Sequence, residues 1–147
     1  MSYETLDAIA DSYTPLLLII SLILFALRFR RSNPVIYGLR LGLYTLCVYA
    51  SQWVDKVLNL WSSIGLDYST HTAAALALTI LLIFQSSHFA TRTLSLFIFF
   101  AYLLLMKIQN YHSFGDMLTT GFCIGLEILF IEVLISQFVS KKSKLNI

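Results

Sequence analysis

The sequence LSLFIFFAYLLLM, at residues 94–106, contains no charged side chain and indicates how the chain folds. Four further runs are similarly apolar: Pro15–Phe29, Val35–Tyr49, Thr72–Phe84 and Phe122–Ile135. Each run approaches or, with its flanks, reaches the roughly 20 residues that a membrane-spanning helix needs. None shows the strict alternation of a barrel strand. The pattern predicts an all-α membrane protein, a bundle of five transmembrane helices with spans at about 13–29, 35–54, 71–91, 93–110 and 116–138.

The composition is typical of a membrane protein. Of 147 residues, 58% are hydrophobic and 12% charged, which is too little polar surface to cover a soluble domain of this size. The N-terminal segment lacks the basic stretch and cleavage site of a secretory signal, so we expect the first run to remain as a span. Cys47 and Cys123 fall within predicted spans and indicate no disulfide framework. We expect one domain without internal repeats.

Charge sorting between the loops predicts the orientation. With five spans, one face receives only basic residues: Arg28, Arg30, Arg31, Arg92, Lys141, Lys142 and Lys144. The other face receives Glu4, Asp7, Asp11, Asp55, Asp67 and Asp116, with Lys56 and Lys107. By the positive-inside rule the N-terminus lies outside and the C-terminus in the cytoplasm. Membrane orientation also explains the net charge of +2, so nucleic acid is not an expected partner.

A polar segment leads into the third predicted span. Asp67, Tyr68, Ser69 and Thr70 precede His71, and either Ser69 or Thr70 can cap the first turn of the helix. The free backbone N–H groups and the dipole at such a helix start attract anions such as phosphate. We therefore expect a candidate phosphate site at this position.

His112 and Asp116 are four residues apart and lie on one face of a helix or tight turn. A carboxylate in that position can hold an imidazole for nucleophilic or general-base catalysis. Interfacial His and Asp residues are also common at span ends without any catalytic role, and local spacing leaves both interpretations open. The five-span topology favours the catalytic one, because it brings His71, His112 and Asp116 to the same outer level as Lys56 and Lys107.

The order of these residues resembles the type 2 phosphatidic acid phosphatase superfamily, which includes sphingomyelin-synthase-like phosphotransferases. In the segment 68–71, Ser69 and His71 match the family motif P-S-G-H. His112 and Asp116 match the end of S-R-x5-H-x3-D, whereas Leu105 and Met106 occupy its Ser and Arg positions. The family motif K-x6-R-P has no counterpart.

The resemblance implies a metal-independent enzyme that hydrolyses or transfers the phosphate of a phospholipid or isoprenoid phosphate. By that resemblance His112 attacks phosphorus and forms a phosphohistidine, Asp116 orients it, and His71 protonates the leaving alcohol. Ser69, Thr70, Lys56 and Lys107 then bind phosphate oxygens. No cofactor is implied. The site would face the outside of a bacterial inner membrane or the lumen of a eukaryotic endomembrane.

Three alternatives remain open. The chain can be a non-catalytic membrane subunit that binds lipid or a protein partner, in a homo- or hetero-oligomer. It can be a small carrier whose polar path uses Arg40, Glu127 and Glu132, although an ion pair between Arg40 and Glu132 that fixes helix packing is the simpler interpretation. A third possibility is an iron or zinc site on His71, His112 and Asp116.

Overall fold

The computed structural model describes residues 3–27 and 33–145, and all of these lie in helices or in the short connections between them. The helices are α1 Tyr3–Leu27, α2 Pro34–Leu58, α3 Thr70–Gln85, α4 Phe89–Ile108 and α5 Phe114–Leu145, with one turn of 3-10 helix at Ser62–Ile64. The predicted all-α class is confirmed. Of the residues used in the charge sorting, Arg28, Arg30 and Arg31 lie outside the described residues, and only the backbone is described for Glu4, Asp7, Lys142 and Lys144.

Local capping chemistry sets both ends of α2. The helix starts at Pro34, and the side-chain oxygen of Asn33 accepts hydrogen bonds from the N–H groups of Val35 at 3.0 Å and Ile36 at 3.4 Å. It ends at Asn59, whose φ of 52° is left-handed and whose N–H donates to the Asp55 carbonyl. These caps separate α2 from the segments on both sides.

The boundary between the third and fourth helices differs from the prediction. The predicted span at 71–91 does not correspond to one continuous helix, because α3 ends at Gln85 and α4 begins at Phe89. Ser86 has extended backbone angles, and its hydroxyl accepts a hydrogen bond from the His88 N–H. Serine side chains compete in this way with helical hydrogen bonds, which ends α3 within an otherwise continuous pattern. The structure also extends α1 back to Tyr3 and α5 on to Leu145.

Helix α3 is the central helix, and it contacts each of the other four. Its buried face consists mainly of small residues, including Ala73, Ala75 and Ala77. Small side chains let neighbouring helices approach closely. Further contacts join α1 to α4 and α2 to α5. The bundle therefore surrounds α3 with longer helices.

Among the described residues, three helices are long and apolar enough to cross a bilayer, within Ala8–Leu27, Phe89–Ile108 and Phe114–Lys141. Their outer faces carry large exposed apolar side chains, among them Leu16, Ile19, Phe97, Phe100, Phe122 and Phe130. Apolar surface of this extent is unusual for a soluble monomer. It supports the prediction of a membrane protein with transmembrane helices.

An ion pair joins α2 to α5, as expected from the sequence. The Arg40 Nε donates to Glu132 Oε1 at 2.8 Å and Nη2 donates to Oε2 at 2.7 Å. The Tyr44 hydroxyl donates to the same carboxylate at 2.7 Å, and the guanidinium lies 4.5 Å from the centre of the Phe84 ring. The predicted Arg40–Glu132 pair is thus confirmed, and its geometry is bidentate.

Candidate functional site

Ser69 caps α3 as the sequence predicted. Its Oγ accepts a hydrogen bond from the Thr72 N–H at 3.3 Å and lies 2.8 Å from the Thr72 hydroxyl oxygen. Its backbone N–H donates to the Thr120 hydroxyl of α5 at 3.0 Å. Ser69 is fully buried, so these bonds direct its polar groups into the bundle. A phosphate at the surface would therefore contact atoms at the start of α3 other than those of Ser69.

The second residue of the candidate phosphate cradle, Thr70, also has a partner within the bundle. Its hydroxyl accepts a hydrogen bond from the Gln52 side-chain amide of α2 at 2.9 Å. Tyr68 precedes it, and its hydroxyl donates to the Val48 carbonyl at 2.9 Å. Burial raises the pKa of the Tyr68 hydroxyl, which keeps this donor protonated. The start of α3 is therefore held against α2 by side-chain hydrogen bonds.

Asp116 forms a capping box with Ser113 at the start of α5. The Asp116 N–H donates to the Ser113 Oγ at 3.1 Å, and the Ser113 N–H donates to Asp116 Oδ2 at 2.7 Å. The other carboxylate oxygen accepts from the backbone N–H of Asp67 at 2.8 Å. Asp116 is buried, and its carboxylate links α5 to the segment before α3.

The His112 imidazole faces two carboxylates. Its Nδ1 lies 3.7 Å from Asp67 Oδ2 and 3.9 Å from Asp116 Oδ2, which are ion-pair rather than hydrogen-bond distances. The Nδ1 atom is buried and has no hydrogen-bond partner among the described residues, while the side chain as a whole is 12% exposed. Any accessible part of the ring is therefore on atoms other than Nδ1.

His71 lies at the same end of the bundle and is more accessible. Its Nε2 is 3.9 Å from Asp11 Oδ1 of α1, and its ring centre is 5.9 Å from that of Tyr111, the residue before His112. The side chain is 44% exposed. The start of α3, α1 and the connection between α4 and α5 thus meet around the two histidines. Asp116 does not contact His71 within ion-pair distance in the part of the chain that the structure describes.

The two predicted lysines have no carboxylate partner among the described residues. Lys56 is exposed in the last turn of α2, and the Lys107 Nζ lies 5.6 Å from the centre of the Phe114 ring. Neither forms an ion pair within 4.0 Å with a carboxylate of the described residues. No carboxylate of the described residues therefore neutralises the charge of either ammonium group.

Sequence reasoning missed two acids near the histidines. Asp67 and Asp11 were assigned only to the outer charged face, yet each lies within 4 Å of a histidine nitrogen. The Ser113–Asp116 capping box, by contrast, could have been recognised from its S-x-x-D spacing before an apolar run. The contacts of Asp67 and Asp11 depend on packing between distant segments and leave no local pattern.

The residues do not provide a ligand set for the metal alternative. Within residues 3–27 and 33–145, no group of three or more His, Cys, Asp or Glu side chains is arranged to hold a metal ion. His71 and His112 each approach a different acid, Asp11 and Asp67. The iron or zinc site considered for His71, His112 and Asp116 therefore lacks support in the geometry.

The fold and this site define the class of the protein only at a coarse level: an all-helical chain with three helices able to cross a membrane and a His/Asp cluster at one end of the bundle. Comparison with family models, with curated proteins and with solved structures found no match.

Proposed function

We propose that all five helices cross the membrane, with the N-terminus outside and the C-terminus in the cytoplasm. The short helix α3 contacts every other helix, which shields it from lipid. The charged helix α2 has its Arg40 neutralised by Glu132. Charge sorting among the described residues supports the orientation. The segments that carry Asp11, Asp67 and Asp116 lie at one end of the bundle. Arg92 lies beside the turn at Ser86.

We propose that the chain is a membrane enzyme that hydrolyses or transfers the phosphate of a lipid phosphomonoester or diphosphate at its outer face. The observation that supports this most is the environment of His112. Its buried Nδ1 faces the carboxylates of Asp67 and Asp116, which favours a proton on Nδ1 and leaves Nε2 as the nucleophile. A second imidazole, His71, lies at the same end of the bundle.

The proposed reaction has two steps. The His112 Nε2 lone pair attacks phosphorus, the bond from phosphorus to the lipid oxygen breaks, and that oxygen takes a proton from His71. The Asp11 carboxylate lies 3.9 Å from the Nε2 of His71. Asp67 and Asp116 stabilise the positive charge that develops on His112. In the second step water, or an acceptor alcohol, attacks phosphorus, the bond from phosphorus to His112 Nε2 breaks, and the attacking oxygen gives its proton to His71.

An apolar cavity of about 300 Å³ beside the site favours a lipid substrate. It lies between α1, α2 and α3, and Thr14 and Ala74 are among its lining residues. These two positions are one helical turn from Asp11 and His71, because three residues of helix rise about 4.5 Å. A phospholipid or isoprenoid phosphate could place its phosphate at the histidines and its chain in this cavity, from the outer leaflet of a bacterial inner membrane or the luminal leaflet of an endomembrane.

A second candidate function is that of a non-catalytic membrane subunit that binds lipid or a protein partner. The hydrogen bonds of Ser69, Thr70 and Asp116 favour it, because each of these side chains already has a structural partner. Met106, at the position where the resembling family has arginine, is buried and cannot bind phosphate through charge. These residues would then serve to hold the helices together.

Phosphate release distinguishes the two functions. The purified full-length chain in detergent and phosphatidic acid micelles, with EDTA present, should release inorganic phosphate, and His112→Ala should reduce the rate by at least about a hundredfold. His88→Ala is the matched control, since this exposed histidine lies at the start of α4, away from the cluster, and should leave the rate unchanged. A folded wild-type chain that releases no phosphate from phosphatidic acid or from an isoprenoid diphosphate would support the non-catalytic function.

A further inference from the structure

Glu127 is a carboxylate at the middle of the candidate span Phe114–Lys141, the depth at which a charge in a bilayer is least favourable. Its side chain accepts from the Ser51 hydroxyl of α2, at 2.8 and 3.0 Å to the two carboxylate oxygens. No described cation lies within ion-pair distance of it. The nearby acid Glu132 differs, because Arg40 binds it in bidentate geometry.

Glu127 borders a cavity of about 520 Å³ between α2 and α5. The other lining residues are mostly apolar or small, including Cys47, Ala50, Val54 and Cys123. A neighbouring cavity of about 460 Å³ shares Trp61 and Cys123 and continues along α5 past Phe122. Together they form one groove on the outside of the helix pair, which we call the Glu127 groove. It is apolar along its length, with a single carboxylate at mid-membrane depth.

The chemistry of the Glu127 groove specifies its occupant. Its apolar walls can pack against apolar side chains, and its carboxylate can pair with a cation at the middle of the membrane. Small residues such as Ala50 and Cys123 permit the close approach of another helix. Acidic and basic residues inside membranes pair with one another, since pairing offsets the burial of both charges. A lipid headgroup carries its cation at the membrane surface and does not reach this depth.

We propose that the Glu127 groove binds a transmembrane helix of a partner protein through a lysine or arginine at the middle of that helix. The basic side chain would replace the missing cation beside Glu127, and Ser51 would hold the carboxylate in place. This assembly site lies on the α2–α5 face and is independent of the proposed phosphatase activity, which involves other residues.

The probe is a pair of synthetic leucine-rich transmembrane peptides that differ only in carrying lysine or norleucine at the central position. Energy transfer from the labelled full-length chain to each peptide is measured in phosphatidylcholine vesicles. The wild-type chain should bind the lysine peptide about tenfold more tightly than the norleucine peptide. Glu127→Gln should remove this preference. Leu129→Ala is the control on the same helix, since this exposed side chain lies outside the groove, and it should keep the preference.

Equal binding of the two peptides by the wild-type chain would overturn the proposal without need of any variant, so a poorly folded Glu127→Gln protein does not prevent the test. A lysine preference that persists in folded Glu127→Gln would also overturn it. Dodecylammonium that binds in a Glu127-dependent manner, with no lysine preference among the peptides, would assign the groove to an amphiphilic amine and reject the helix.

Discussion

The carboxylate of Asp116 accepts a hydrogen bond from the backbone N–H of Asp67 at 2.8 Å, and so joins the start of α5 to the segment before α3. The same carboxylate accepts from the Ser113 N–H at 2.7 Å. One side chain thus caps its own helix and fixes the distant loop that carries Asp67 beside His112. The local structure of the cluster depends on this link more than on any direct bond between Asp116 and His112.

Replacement of Asp116 should destabilise the fold. We expect Asp116→Ala to lower the free energy of unfolding by about 2–3 kcal/mol, because two backbone N–H groups lose a charged acceptor. Unfolding of the purified chain in detergent, followed by circular dichroism, measures the change. Asp67→Asn is the matched control, since it keeps the backbone N–H and changes a side chain that is 76% exposed. A loss of similar size in the control would contradict the role given to Asp116.

The Arg40–Glu132 pair should show strong coupling. Arg40→Met and Glu132→Gln should each lower the free energy of unfolding by about 3 kcal/mol, since each leaves its partner charge buried without compensation. Because the side chains of Arg40 and Glu132 are 23% and 14% exposed, we expect a loss in the free energy of unfolding at the lower end of the range for buried ion pairs. The double variant should lose much less than the sum of the two. Additive losses in this double-mutant cycle would show that the pair is not coupled.

Replacement of two glycines by alanine should change the stability of the fold in opposite directions. Gly65→Ala should destabilise by about 1 kcal/mol, because its φ of +74° is left-handed and unfavourable for a residue with a Cβ. Gly42→Ala should stabilise by about 0.5–1 kcal/mol, because the position is within α2 and an added Cβ meets no atom within 4 Å. Melting temperatures in the same detergent compare them. A higher melting temperature for Gly65→Ala would contradict the left-handed backbone conformation of this turn.

Local sequence patterns predicted much of the fold. The five apolar runs correspond to the five helices, and the cap at Ser69 and the pair of Arg40 with Glu132 followed from spacing and depth. The break at Ser86 was missed because it depends on a serine hydroxyl that accepts a hydrogen bond from the backbone N–H of His88, within a run that keeps its apolar character.

The candidate site was less predictable because its contacts join distant segments. The N–H of Ser69 binds Thr120, and Asp67 lies beside His112, only because α5 packs against α3. Periodicity within one helix contains no information on such contacts between helices. Asp116 was assigned to a single partner, His112, whereas its carboxylate accepts hydrogen bonds from the N–H groups of Ser113 and Asp67.

The central claim is that α3 and α4 each cross the membrane and so bring His71 and His112 to one face. Helix α3, with 16 residues, is shorter than the roughly 20 residues of a typical span, so its crossing is the step to test. After Cys47 and Cys123 are replaced by Ala, single variants Ser62→Cys, Ser87→Cys and Phe114→Cys provide exposed labelling positions, the first two in connections and the third at the first residue of α5.

Labelling of these variants in intact cells with a membrane-impermeant maleimide is the most direct measurement. Ser62→Cys and Phe114→Cys should react from the outside, and Ser87→Cys should react only after the membrane is opened. Reaction of Ser62→Cys and Ser87→Cys from the same side would show that α3 does not cross, and would contradict the arrangement on which the site and the depth of Glu127 both depend.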